Sequence, residues 1–157
     1  MSIRQDAGAR EGWPERVTRR GKRVSTAFRV RYAETDQMGM AYYANYLVWF
    51  EVMRGDFMRA IGLPYSQLEA EGWNLPIAEA HVRYLAPARY DDAVEVEAGI
   101  TRLRSRVIRF EYAVRRGTDL LATGYTVHVP VDDRGKPKAL ADATLAALAP
   151  WVLESPD

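Results

Sequence analysis

At 157 residues the chain is long enough for one domain with a substantial core and too short for two ordinary ones. Its 22 basic and 21 acidic side chains nearly cancel, leaving a formal net charge of +1, so no global field recruits nucleic acid or an anionic membrane surface. Cysteine is absent, which excludes disulfides, thiolate metal sites and a cysteine nucleophile, and points to a reducing, cytoplasmic setting.

Residues 1–23 are polar and basic and contain no apolar run that would serve as a signal-peptide core, so they read as a flexible leader. A single domain is expected over 24–150, with 151–157 as a tail. No later segment is long and apolar enough to span a bilayer, so no membrane insertion is expected. From Thr26 to Ala33, Phe28, Val30 and Tyr32 alternate with Arg29 and Arg31, the period of a half-buried strand. From Tyr42 to Ile61 the residues Tyr43, Leu47, Phe50, Met53, Phe57 and Ile61 recur three or four apart, and Tyr46 and Trp49 widen the stripe. This long helix should be buried on most sides, and Gly62 should stop it. Pro64 opens the next turn, and Ser66 with Glu69 has the spacing of a capping box for a short helix ending near Gly72.

After Trp73 the period changes to two, over Pro76 to Leu85, Ala93 to Leu103, Val107 to Arg115 and Leu120 to Val129. Arg116-Gly117-Thr118-Asp119 suits a tight hairpin between the last two runs. Consecutive hairpin-linked strands imply an antiparallel sheet, and the apolar helix needs a face to lie on, so the fold class is α+β with the sheet wrapped on the helix. A small terminal helix is expected from Ala141 to Leu148.

Few groups are left to carry chemistry. His81 and His128 are the only histidines, each isolated in a predicted strand, so no multi-histidine metal site exists, and neither a nucleophile elbow nor a glycine-rich phosphate loop is present. A carboxylate remains. Asp36 lies between the first strand and the long helix, and Gly39 allows the connection to turn tightly. The start of a helix leaves amide hydrogens unpaired and partially positive, so a carbonyl oxygen placed there is polarised, and a carboxylate across it can attack directly or activate a water. Judged by residue type alone, Asp36 is equally a helix cap or turn former.

The stretch Tyr32-Ala33-Glu34-Thr35-Asp36-Gln37-Met38-Gly39-Met40-Ala41-Tyr42-Tyr43-Ala44-Asn45-Tyr46, continuing to Glu51, resembles the signature of the hotdog-fold acyl-CoA thioesterases of the 4-hydroxybenzoyl-CoA thioesterase group, especially the YbgC-like branch. Val82-Arg83-Tyr84-Leu85-Ala86-Pro87-Ala88-Arg89-Tyr90-Asp91-Asp92 is similar to that branch's second recurrent segment, and the likeness runs from about Phe28 to Leu140. The resemblance implies a curved antiparallel sheet of about five strands around a central helix. It implies hydrolysis of an acyl-CoA to a free acid and coenzyme A, with coenzyme A as part of the substrate and no further cofactor or metal. Position by position, it places the catalytic aspartate, nucleophile or general base, on Asp36, the carbonyl-polarising amide on Tyr43, and the conformational glycine on Gly39. Asn45 and Glu51 match recurrent helix positions without an assigned step. Arg104, Ser105 and Arg106 stand where the family commonly contacts the nucleotide end, and Tyr42, Tyr46, Trp49 and Tyr84 are candidates for the apolar slot, Tyr46 foremost. The family's assembly implies a homodimer or homotetramer with the site between subunits. The alternatives carried forward are a hotdog dehydratase or hydratase acting on thioesters, and a non-catalytic protein that binds acyl-CoA or an acyl carrier protein.

Overall fold

The structure, a computed structural model, describes residues 16–154. Strands β1 (Val17–Arg20), β2 (Arg23–Arg29), β3 (Ile77–Tyr84), β4 (Ala93–Arg104), β5 (Val107–Arg116) and β6 (Asp119–His128) form one antiparallel sheet in the order β1-β2-β4-β5-β6-β3. The helices are α1 (Asn45–Ala60), α2 (Tyr65–Ala70) and α3 (Asp142–Leu148). The four strand runs after Trp73 and the Gly117-Thr118 hairpin therefore fall where the period-two pattern puts them. The sheet has one strand more than expected, because Val17–Arg20, within the stretch read as a leader, pairs with Arg23–Thr26. The rest of that leader, residues 1–15, and the end of the tail, residues 155–157, lie outside the described residues.

Alternation along the central strands decides which face the helix covers. Val94, Val96, Ala98 and Ile100 of β4, and Ile108, Phe110, Tyr112 and Val114 of β5, all point to one side and are buried. Against them α1 buries Tyr46, Trp49, Phe50, Met53, Phe57 and Met58, the three- and four-residue spacing of one helix face. Phe50 stacks on Tyr112 at a centroid distance of 4.2 Å, and Phe57 meets Phe110 edge-on at 5.4 Å. Helix α1 ends as its sequence indicates: Gly62 takes a φ of +82° and the Leu63 N–H returns to the Met58 carbonyl at 2.9 Å.

Two sequence expectations are corrected here. Within this chain α1 is not buried on most sides, since Leu47, Val48 and Val52 are exposed. The helix lies across a single sheet, and little of this chain covers its outer face. The Ser66/Glu69 capping box does not form: Pro64 is the residue before α2, no side chain caps it, and Ser66 sits inside the helix. Among the described residues no helix is long and apolar enough to cross a membrane.

Gly124 of β6 sets how closely α1 approaches the sheet. A Cβ built there would stand 2.6 Å from Phe50 Cε2, so the ring rests on bare backbone. Gly124→Ala forces the ring or the strand to move and is expected to lower stability by about 1–3 kcal/mol, measured by urea unfolding.

Candidate active site

The connection from β2 to α1 is held by a buried carboxylate. A single 3₁₀ turn, Tyr32–Glu34, turns the Glu34 side chain inward, where it is 5% exposed. Its Oε2 accepts the Trp49 indole N–H at 2.6 Å, and its Oε1 accepts the Arg31 backbone N–H at 2.9 Å and faces Arg31 Nε at 3.3 Å. The Glu34 carbonyl accepts both Asn45 Nδ2 and the Tyr42 N–H at 2.8 Å. Burial alone would raise the carboxyl's pKa; the Trp49 and Arg31 hydrogen bonds and the Arg31 charge outweigh it and hold the pKa below its ordinary value. The sequence assigns Glu34 no role and Trp49 only a place in the apolar slot, although Glu34 stands within the quoted motif, eleven residues before Asn45 and fifteen before Trp49.

Beyond Glu34 the chain makes a narrow loop. The Asp36 N–H bonds the Met40 carbonyl at 2.9 Å, and the Gly39 N–H bonds the Asp36 carbonyl at 3.0 Å with Gly39 at a φ of +74°. That conformation suits glycine, in agreement with the conformational role expected for it. Asp36 Oδ1 accepts the Met38 N–H at 2.8 Å, which orients the carboxylate; Oδ2 has no hydrogen bond among the described residues. Asp36 does not cap α1, which starts nine residues later at Asn45.

The second quoted segment forms the opposite wall. The Ala41 N–H bonds the Ala88 carbonyl at 2.7 Å, and Met40 bridges Arg89. Asp92 fastens this wall from behind, accepting the Arg89 N–H at 2.8 Å and Arg116 Nη1 at 2.7 Å. The Asp92 carboxyl is pushed up by burial and pulled down further by Arg116 and the Arg89 N–H, so it stays below the usual range.

Between the walls lies a cleft of about 320 Å³, lined by Asp36, Tyr43, Tyr46 and Tyr84 and by apolar groups of Met38, Met40, Ala41, Leu85, Ala86 and Pro87. Helix α1 begins later than the expected Tyr42, because Tyr42-Tyr43-Ala44 makes a tighter turn: the Asn45 N–H reaches the Tyr42 carbonyl at 2.9 Å and the Leu47 N–H the Ala44 carbonyl at 3.2 Å. As a result the Tyr43 and Ala44 N–H groups bond no acceptor among the described residues. Tyr84 Oη donates to the Tyr43 carbonyl at 2.7 Å and ties the end of β3 to the start of α1.

The other named residues are placed as follows. Tyr46 forms the cleft floor at 2% exposure, its hydroxyl accepting the Ala88 N–H at 3.4 Å. Trp49 lies beneath the floor and Tyr42 faces solvent, so neither lines the slot. Arg104, Ser105 and Arg106 form the exposed β4–β5 turn, whereas the Asp92 end of β4 adjoins the cleft; the length of β4, about 35 Å, separates them within one chain. Glu51 lines a different cavity on α1. Among the described residues no group of three or more metal-binding side chains is assembled.

An antiparallel sheet packed on one long helix, with an acid-bearing loop before the helix start, is the arrangement of the hotdog thioesterase class. Residues 30–148 match the model of the thioesterase-like superfamily, and the chain belongs to that family. It is 32% identical over 120 residues to the acyl-CoA thioester hydrolase YbgC of Escherichia coli O157:H7, covering 75% of this chain and 90% of that protein. The crystal structure of the hypothetical protein TT1821 from Thermus thermophilus superposes with a TM-score of 0.79 at 37% identity, covering 84% of this chain and 99% of that one. The DHNA-CoA thioesterase from Staphylococcus aureus superposes with a TM-score of 0.71 at 31% identity, covering 74% and 79%. The protein is a thioester hydrolase; of the activities considered from sequence, hydrolysis is the one these relatives support.

Trp49→Phe removes the indole donor from Glu34 and is expected to cost about 1.5–3 kcal/mol in urea unfolding, the usual worth of a hydrogen bond to a charged group. The folded pKa of Glu34 lies below its ordinary 4.5, so its contribution is full above that pH and is lost as pH falls through the folded value. The variant should therefore lose less stability than the parent between neutral and acidic pH.

Proposed function

We propose that the protein hydrolyses an acyl-CoA thioester to a free carboxylic acid and coenzyme A, with Asp36 as nucleophile or general base and the Tyr43 N–H as the donor to the thioester oxygen. The observation that carries this reading is the single cleft shared by an acid with an unbonded Oδ2 and a helix start with unbonded N–H groups. A carbonyl oxygen seated at the Tyr43 N–H gains the partial positive charge of the helix start as negative charge develops on it. The carbonyl carbon then faces Asp36, which either forms an acyl anhydride with release of the thiolate, the anhydride then being cleaved by water to the free acid and Asp36, or removes a proton from an attacking water, the tetrahedral intermediate then expelling the thiolate. Both routes use the same carboxylate and the same donor, and neither calls for a further cofactor.

The apolar side chains of Met38, Met40, Leu85 and Pro87 suit the acyl and pantetheine portions. Such a cleft is open on one side in a single chain, and two features support completing it with a second copy. Among the described residues strand β3 pairs only with β6 and exposes nearly all its residues on both faces, and Leu47 and Val48 of α1 are exposed as well. A homodimer joined along β3, or a tetramer of such pairs, covers both. The basic turn Arg104-Ser105-Arg106 contacts coenzyme A phosphates in this reading only if another subunit brings it to the cleft.

Asp36→Asn keeps the shape of the loop and removes the base. Turnover of acyl-CoA substrates, followed by thiol release across aliphatic and aromatic acyl groups, should fall by about 10²-fold or more with binding retained; full turnover in the variant assigns the chemistry elsewhere. Tyr84→Phe releases the Tyr43 carbonyl while leaving the ring in place, and kcat should fall by roughly tenfold with KM little changed, in keeping with the ~1 kcal/mol usual for one hydrogen bond. An unchanged kcat removes Tyr84 from the positioning of the helix start.

A further inference from the structure

The middle of α1 borders a second cavity, about 480 Å³ in volume, and Arg54 lies in its wall at 6% exposure. It is some 16 Å along the helix from Tyr43, so it is not part of the cleft. No carboxylate among the described residues forms an ion pair with Arg54. A buried cation is expected to find an anion, since leaving it uncompensated is unfavourable.

The guanidinium is held by a chain of hydrogen bonds whose directions are all determined. Burial pushes the His128 pKa down to about 4, so its imidazole is neutral at physiological pH. With His128 Nδ1 donating to the Leu75 carbonyl at 3.0 Å, Nε2 accepts from Thr126 Oγ1 at 2.9 Å. Thr126 Oγ1 then accepts from Tyr112 Oη at 2.7 Å, and Tyr112 Oη accepts from Arg54 Nη1 at 3.3 Å. This network fixes the guanidinium and uses one of its five donors. Tyr65 Oη lines the same cavity close to Arg54: burial raises its pKa and the guanidinium pulls it back down, yet the hydroxyl makes no hydrogen bond of ordinary length and its own proton has no acceptor among the described residues.

Unspent guanidinium donors and an unspent hydroxyl call for a group that accepts on two oxygens. Glu51 and Glu69 line the cavity and form no ion pair among the described residues, while Arg59 in the same wall is paired with Asp56, so the cavity disfavours an anion of charge greater than one. Val52 and Leu75 supply apolar surface beside them. We propose that this cavity is a second ligand site for a small organic monocarboxylate, its oxygens on Arg54 and Tyr65 and its short hydrocarbon against Val52 and Leu75. The site is separate from thioester hydrolysis, though α1 connects it to the cleft.

Calorimetric titration of the full chain with sodium butyrate, butyramide and sodium phosphate tests this. Butyrate should bind, and the isosteric neutral amide and the phosphate should not. Tyr65→Phe, which deletes only the orphan hydroxyl, should weaken butyrate about tenfold, with folding checked by circular dichroism, whereas Asp36→Asn should leave the affinity unchanged. Butyrate affinity that responds to Asp36→Asn and ignores Tyr65→Phe would put the acid in the cleft and overturn the proposal. Absence of butyrate heat would overturn it too, and if Tyr65→Phe also dissociates an oligomer on size exclusion, the donors belong to a second copy's carboxylate.

Discussion

Everything in the cleft depends on burying one carboxylate. The loop from Thr35 to Ala41 closes on itself through the Asp36–Met40 and Gly39–Asp36 hydrogen bonds, which set its shape but do not tie it to the helix. Glu34 anchors it: one carboxylate oxygen is bound by the Trp49 indole, the other by Arg31, and the carbonyl by Asn45. Because Asn45 and Trp49 lie on the first turns of α1, the acid-bearing loop and the helix start form one body. A buried carboxylate with such partners is costly to disrupt, and that rigidity matters for a site whose groups must stand within a few tenths of an ångström of their working positions.

The opposite wall is built on the same plan with a different acid. Asp92 collects the Arg89 N–H and Arg116, and through the Ala41–Ala88 and Met40–Arg89 contacts the second segment is sewn to the first. Two stretches about fifty residues apart in the chain are therefore one structural unit, and the sheet supplies their spacing. Gly124 belongs to the same logic, since the depth at which Phe50 seats against β6 sets the height of α1 above the sheet.

The four strands after Trp73 and the long helix were legible because their periods are two and three-to-four over long runs, and the hairpin at Gly117 was marked by its turn residues; the first strand, expected over Thr26 to Ala33, runs Arg23–Arg29, because the chain leaves the sheet before the 3₁₀ turn at Tyr32–Glu34. Strand β1 was not legible: Val17-Thr18-Arg19-Arg20 is exposed throughout and polar but for Val17, so it shows no apolar alternation, and it pairs along the edge of β2. The position of Asp36 beside the helix start could be read from the order of residues, but its exclusion from capping could not, because that depends on where the turn at Tyr42 to Ala44 gives way to the helix. Glu34 stood in plain view in the motif. Its importance is a matter of burial, which local sequence does not encode for a lone glutamate between an exposed alanine and a half-buried threonine. The turn at Arg104 owes its expected role to the family resemblance, and the sheet carries it to the far end of β4.

The central claim is that Asp36 and the Tyr43 N–H face each other across a bound thioester carbonyl. A crystal structure with an acyl-CoA analogue in which a methylene replaces the thioester sulfur tests it most directly. The ketone oxygen should lie about 2.7–3.1 Å from the Tyr43 nitrogen, with the Asp36 carboxylate near the carbonyl carbon on the other side. A ketone oxygen that makes no contact with the Tyr43 N–H, or an Asp36 carboxylate turned away from the carbonyl, would contradict it.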